Sequence, residues 1–207
     1  MIKPPGRSGV AFTESSDGDQ RSDVESRRVL SRKLGIPGSW ATVDQVHGST
    51  VIEVTENQPH GEGDALWTRR REVPLAVFTA DCFGVVIHAD NAVGVAHAGW
   101  RGAQAGLVSN LRATMTKAGH TPNRAEIGPG IGSCCFEVGP DVSELFPSDS
   151  SQTRWGTPSV DLERVLESQL EGLDLWANGG CTMHEDGWLS HRRDATPLRL
   201  ASIGWLA

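Results

Sequence analysis

Three residues of this chain end or interrupt apolar runs at small-residue turns. They are His47 in Gln45-Val46-His47-Gly48, Cys82 in Thr79-Ala80-Asp81-Cys82, and His97 in Val95-Ala96-His97-Ala98-Gly99-Trp100-Arg101-Gly102. Strand ends are rigid places from which a side chain is aimed into a cleft. Two imidazoles and a thiolate make three ligands of borderline softness and leave a fourth position for water or substrate, the coordination logic of a catalytic zinc. Zinc at such a site holds its cysteine deprotonated and brings the pKa of a water toward neutrality. The spacing is not that of a compact ligand motif, because 34 residues separate His47 from Cys82 and 14 separate Cys82 from His97. Two other readings of the same residues stay open. One is three separate core residues, since free cysteine is among the most buried types. The other is a thiol nucleophile, with Cys82 attacking and His97 or His47 as its base.

Asp81, beside Cys82, is a candidate to orient an imidazole or to move a proton, and equally a turn carboxylate. Arg101 stands at the expected start of a helix, where a guanidinium and backbone donors together take an anion; a solvated surface charge is the alternative. Arg192 and Arg193, in Ser190-His-Arg-Arg-Asp194, read either as a solvated loop or as a phosphate clamp. The glycine-rich GPGIG at 128–132 lacks the third glycine of a dinucleotide loop and reads as a tight turn. Cys134 and Cys135 read as packing residues, His60, His120 and His184 as loop residues without a role, and His88 as ambiguous at a strand end. Neither the His-x-Glu and Pro-Cys-x-x-Cys pattern of zinc nucleobase deaminases nor a P-loop is present.

The elements expected to carry these residues interleave. Residues 8–13 read as a strand, and 23–34 as a helix capped by Asp23 and stopped by Gly35. Two β-branched runs between Val43 and Val54 flank Gly48-Ser49 like a hairpin. Residues 63–68, 74–79, 85–88 and 92–96 are apolar strands. A helix is expected over 102–118, with Leu107, Leu111 and Met115 at helical spacing, another over 161–173, and a closing strand over 198–206. Several strand pairs are joined too tightly for parallel crossovers, so α+β or mixed-sheet architecture is favoured over a doubly wound parallel fold. Only the loop at 147–158 offers a boundary, and a weak one, so residues 1–207 read as a single domain.

Composition bounds the function. Of 207 residues, 38% are hydrophobic, and 19 basic against 26 acidic residues leave a net charge of −7. Wholesale disorder is excluded, and a broad basic surface for nucleic acid is not offered. No apolar run reaches the roughly 18 residues of a membrane span. Four cysteines and no export signal read as reduced thiols in the cytoplasm.

Taken in order, QVHGSTV (45–51), GEGDALWT (61–68), TADC (79–82), GVAHAGWRG (94–102), IGPGIGSCCFEVG (127–139) and SHRRD (190–194) resemble the laccase-domain family. Its members are variously described as polyphenol oxidase, purine nucleoside phosphorylase or peptidoglycan editing factor. The resemblance implies a single-domain α/β/β/α sandwich and a zinc site on His47, Cys82 and His97. It implies as substrates phosphate and the purine nucleosides adenosine, inosine, guanosine and 5′-methylthioadenosine, with adenosine deamination as a further activity. Arg101, Arg192 and Arg193 are then the expected phosphate ligands, and Asp81 the proton donor to the purine. A copper-dependent polyphenol oxidase and a metal-stabilised editing factor for cell-wall precursors are the alternatives. The chain departs from the family after Phe12-Thr13, where Ser15 replaces the usual arginine in a shortened segment, and at Pro197-Leu198, although Arg199 still aligns.

Overall fold

The computed structural model describes residues 1–207. Its strands are β1 (Val10–Phe12), β2 (Thr42–Asp44), β3 (Val51–Glu53), β4 (Pro59–Glu62), β5 (Ala65–Thr68), β6 (Leu75–Thr79), β7 (Phe83–Ala89), β8 (Ala92–Ala98), β9 (Arg124–Ile127), β10 (Ser150–Gln152), β11 (Pro158–Val160), β12 (Asp174–Ala177) and β13 (Leu200–Gly204). The helices are α1 (Val24–Leu34), α2 (Trp100–Gln104), α3 (Leu107–Lys117), α4 (Pro140–Ser143), α5 (Leu162–Gln169) and α6 (His191–Asp194).

Alternation along the strands sorts the core into layers. In β6, Leu75 and Val77 face one cluster while Ala76 and Phe78 face another. In β7, Val86 joins Leu75 and Val77, whereas Val85 and Ile87 turn to the opposite face. The cluster shared by β1, β5, β6, β7 and β8 is therefore the filling between two sheets. One is three-stranded, in the order β1-β13-β6; the other is six-stranded, in the order β12-β9-β7-β8-β5-β3. Leu30 of α1 covers the outer face of the first, together with Trp40 and Phe78. On the outer face of the second lie Leu107, Val108, Leu111 and Met115 of α3, with Val165 and Leu166 of α5. Full burial of such aliphatic side chains stabilises by about 1.5–3 kcal/mol each. The result is the α/β/β/α sandwich that the resemblance implied, with mixed sheets: β7 pairs antiparallel with β8 and β9, while β3–β5 and β12–β9 are parallel.

Several expectations are corrected. The runs on either side of Gly48-Ser49 form no hairpin: β2 pairs with β4 and β3 with β5, in separate sheets. The loop between them is turned instead by the buried carboxylate of Asp64, which accepts the N–H groups of Val46, His47 and Gly48. The helix expected over 102–118 is two helices, α2 and α3, broken at Gly106 in the left-handed region (φ 71°). In the segment that offered only a weak boundary, β10 and β11 pair as a hairpin and Val160 enters the main core. No helix is long and apolar enough to cross a membrane.

Candidate metal centre

His47, Cys82 and His97, scattered along the chain, converge: their ligand atoms all lie within 4.8 Å of one another. His97 is the penultimate residue of β8, paired in register with Gly84 of β7, so the long central hairpin holds it beside the β6–β7 turn that carries Cys82. His47 reaches in from the loop between β2 and β3, its ring edge-on to that of His97 with centroids 4.7 Å apart. The backbone is bent to achieve this. His47 (φ 61°) and Asp81 (φ 89°) both sit in the left-handed region without being glycine, a conformation that costs on the order of 1–3 kcal/mol each and clusters at functional sites. Gly99 completes the approach: a Cβ there would stand 3.0 Å from Cys82 Sγ and 3.1 Å from His47 Cδ2.

Behind the ligands is Asp64, fully buried, which the sequence reading overlooked. Besides its three backbone donors, it accepts the Nδ1–H of His97 at 2.8 Å. This fixes the tautomer and leaves Nε2 for the cluster. Burial would raise the Asp64 carboxyl, but the hydrogen bonds from His97, Gly48 and His47 outweigh it and hold the pKa below the usual range. Burial likewise pushes the Cys82 thiol up, yet hydrogen bonds and charge from His47 and His97 bring it down to about 6. His97 moves the other way, to about 9, because Asp64 and Cys82 outweigh its burial. At neutral pH the bare cluster thus holds a thiolate beside an imidazolium, and a cation entering it displaces that proton. Two imidazoles, a sulfur already inclined to the thiolate and a carboxylate-oriented ring fit a borderline-soft divalent ion.

The cluster forms the floor of a cavity of about 340 Å³, walled by Arg21, Gln45, Phe78, Asp81, Phe136, His191, Arg192 and Arg199 among others. Gln45 is locked in place, its amide bonding both the N–H and the carbonyl of Phe78. Asp81 accepts the Thr182 hydroxyl at 2.8 Å and the Arg192 N–H at 2.6 Å, so it ties α6 to the turn bearing Cys82. Arg192 lies over the Phe136 ring and donates Nη1 to the Glu137 carbonyl. The remaining two expected phosphate ligands are elsewhere. Arg101 is exposed and stacked on Trp100, 4.3 Å from its ring centroid, and does not line the cavity. Arg193 spends its donors on the carbonyls of Thr182, Met183 and Trp188 and on Asp194, which makes it a brace for the loop. The arginines that line the cavity beside Arg192 are Arg21 and Arg199. Gln45 sits inside the Gln-Val-His-Gly motif and Asp64 inside Gly-Asp-Ala-Leu-Trp, the only sequence signals either offered.

A family profile described as multi-copper polyphenol oxidoreductase laccase matches residues 10–207. The chain is similar to a purine nucleoside phosphorylase, ORF3, of Streptomyces griseus, 38% identical over 209 aligned residues that cover 91% of this chain and 84% of that protein. It is similar also to a purine nucleoside phosphorylase of Deinococcus radiodurans, at 36% identity over 90% of this chain and 78% of that one. Among solved structures, YlmD from Geobacillus stearothermophilus superposes with a TM-score of 0.81 at 28% identity, covering 100% of this chain and 89% of its own. A Bacillus licheniformis hypothetical protein, YfiH, shares the fold with a TM-score of 0.83 at 24% identity, over 95% of this chain and 92% of its own.

Proposed function

The chain belongs to the multi-copper polyphenol oxidoreductase laccase family, and from that premise we propose that it is a zinc-dependent purine nucleoside phosphorylase. Its substrates are adenosine, inosine, guanosine and 5′-methylthioadenosine, with adenosine deamination as a second outcome at the same site. The observation that carries the reading is the opening of the His47–Cys82–His97 set onto a cavity walled by three arginines and two phenylalanines. In phosphorolysis a phosphate oxygen attacks C1′ as the bond to N9 breaks; positive charge develops on the ribose, and the purine leaves with the bonding pair and takes up a proton from water to become the free base. Arg21, Arg192 and Arg199 bind and aim the phosphate, a task suited to planar guanidinium donors. Asp81 positions Arg192 from below, and Phe78 and Phe136 offer apolar faces to the purine. Zinc, when bound, supplies Lewis-acid activation of water or of a substrate heteroatom.

The test is incubation of the purified protein with adenosine, inosine and 5′-methylthioadenosine, with and without phosphate, and identification of products by mass. Free base with ribose 1-phosphate (5-methylthioribose 1-phosphate from 5′-methylthioadenosine), formed only with phosphate, is the expected result. Products indistinguishable from those of the uncatalysed control overturn it. A copper oxidase is the competing reading, because two His and one Cys also suit a single copper. A laccase-type copper cluster, however, needs several further imidazoles, and the cavity adds only His191, since His88 is turned away to Glu126 and His184 lies against Cys134 and Cys135. Stoichiometric copper with a thiolate charge-transfer band would decide for the oxidase.

A further inference from the structure

A second group of soft ligands meets where the turn after β9 packs on the loop between β12 and α6. The ligand atoms of Cys134, Cys135, Cys181 and His184 all lie within 4.8 Å of one another. Nδ1 of His184 is 3.5 Å from Cys134 Sγ and 3.3 Å from Cys135 Sγ, and those two sulfurs are 3.7 Å apart. The N–H of Gly132 donates to Cys181 Sγ at 3.3 Å, a contact that favours a sulfur carrying charge.

The backbone builds this meeting. Gly130 and Cys181 form a parallel bridge, and Thr182 N–H donates to the Gly130 carbonyl. Cys135 and Phe136 both donate to the Gly132 carbonyl, closing a turn that presents adjacent cysteines to the opposite loop. On that loop, Glu185 accepts the Cys181 N–H through its side chain and returns its own N–H to the Cys181 carbonyl, which sets His184 over the sulfurs. Cys135 and Cys181 are buried, Cys134 is half-buried and His184 is exposed. Packing accounts for buried sulfurs, but not for an exposed imidazole that turns a ring nitrogen toward two of them.

We propose that Cys134, Cys135, Cys181 and His184 form a second, structural metal site for zinc or a similarly thiophilic ion. Four protein ligands of the Cys3His type leave no open coordination position, which distinguishes it from the open cluster at Cys82. Its work is mechanical. The loop it clips carries Thr182, whose hydroxyl holds Asp81, and leads into Arg192, whose N–H holds the other oxygen of the same carboxylate. The proposal does not rest on the phosphorylase reading, since a closed site needs no substrate.

The test is metal content of the zinc-loaded, gel-filtered full chain, together with cobalt titration. The wild type holds two ions per chain, and Cys82→Ala/His97→Ala holds one, giving with cobalt an intense thiolate charge-transfer absorption. Adding His184→Ala, an exposed change that leaves the fold standing, weakens that ion at least about tenfold in chelator competition. A second readout serves if the double variant does not fold. In wild type, zinc shields Cys134, the half-buried thiol of the three, from iodoacetamide at alkaline pH, and labelling mapped by mass returns in His184→Ala. One ion in the wild type with Cys134 alkylated despite zinc, or a disulfide among the three cysteines in the purified protein, overturns the proposal.

Discussion

The molecule gathers sulfur and imidazole twice, in opposite surroundings. At Cys82 one thiol faces two histidines with the Asp64 carboxylate behind them, and its pKa falls to about 6. At Cys134 burial and the neighbouring thiols Cys135 and Cys181 act together, and the pKa is pushed up to about 12. The first cluster sits on strand ends and opens on a cavity; the second lies between two loops and is closed by its own four ligands. Burial and neighbouring groups, rather than the sulfur itself, set Cys82 and Cys134 apart.

The contrast can be broken most directly at the open cluster. Cys82→Ala or His97→Ala removes one ligand of three and is expected to take turnover to background, a loss beyond the roughly 10–100-fold that an outer-shell partner costs. Metal analysis and product assay check it; a variant with normal turnover would end the metal reading. Next in size is thiol reactivity in metal-stripped protein at pH 7. Cys82 is mostly thiolate there and Cys134 almost wholly protonated, so alkylation should favour Cys82 about a hundredfold after allowing for the lower nucleophilicity of the more acidic thiol. Because the Cys82 pKa is depressed, its labelling persists down to about pH 6 and fades below it. Peptide mapping after timed exposure reads both.

Asp64→Asn sharpens the comparison by removing the buried carboxylate behind His97. It should weaken zinc about 10–100-fold, measurable by chelator competition, while leaving the protection of Cys134 unchanged. Gly99→Ala drives a methyl between Cys82 and His47 and should cost about 1–3 kcal/mol in stability, followed by thermal denaturation with and without zinc. Smallest is the pair of arginines. Arg192→Ala should raise KM for phosphate about tenfold, near 1.4 kcal/mol, whereas Arg101→Ala, a surface change over Trp100, stays within about 0.5 kcal/mol.

That His47, Cys82 and His97 punctuate apolar strands was legible in the sequence, but the residues alone left three readings open; the zinc site and the layered sandwich were expected only from the family resemblance. Asp64 was not legible, since its partners are three peptide N–H groups and a histidine far along the chain, none encoded by residue type near it. The closed cluster was missed for a similar reason. Between Cys135 and Cys181 stand 45 residues, and backbone contacts of Gly130 and Gly132, not residue type, bring the two segments together. The false hairpin at Gly48-Ser49 shows the converse: a local turn signal gave way to a distant carboxylate. Arg101 and Arg193 share residue type with Arg192, but stacking on Trp100 and bonding to loop carbonyls keep them from the cavity.

The order β1-β13-β6 has a consequence for the birth of the molecule. The middle strand of the smaller sheet lies at 200–204, so while the chain is being made its two flanking strands wait with open edges. The sandwich therefore closes only after translation has passed Gly204, and such late, long-range pairing is slow and exposed to misassembly. A ribosome stalled a few codons earlier would display an unfinished sheet, so the arrival of residues 200–204, not local helix formation, would set when the two outer strands are joined.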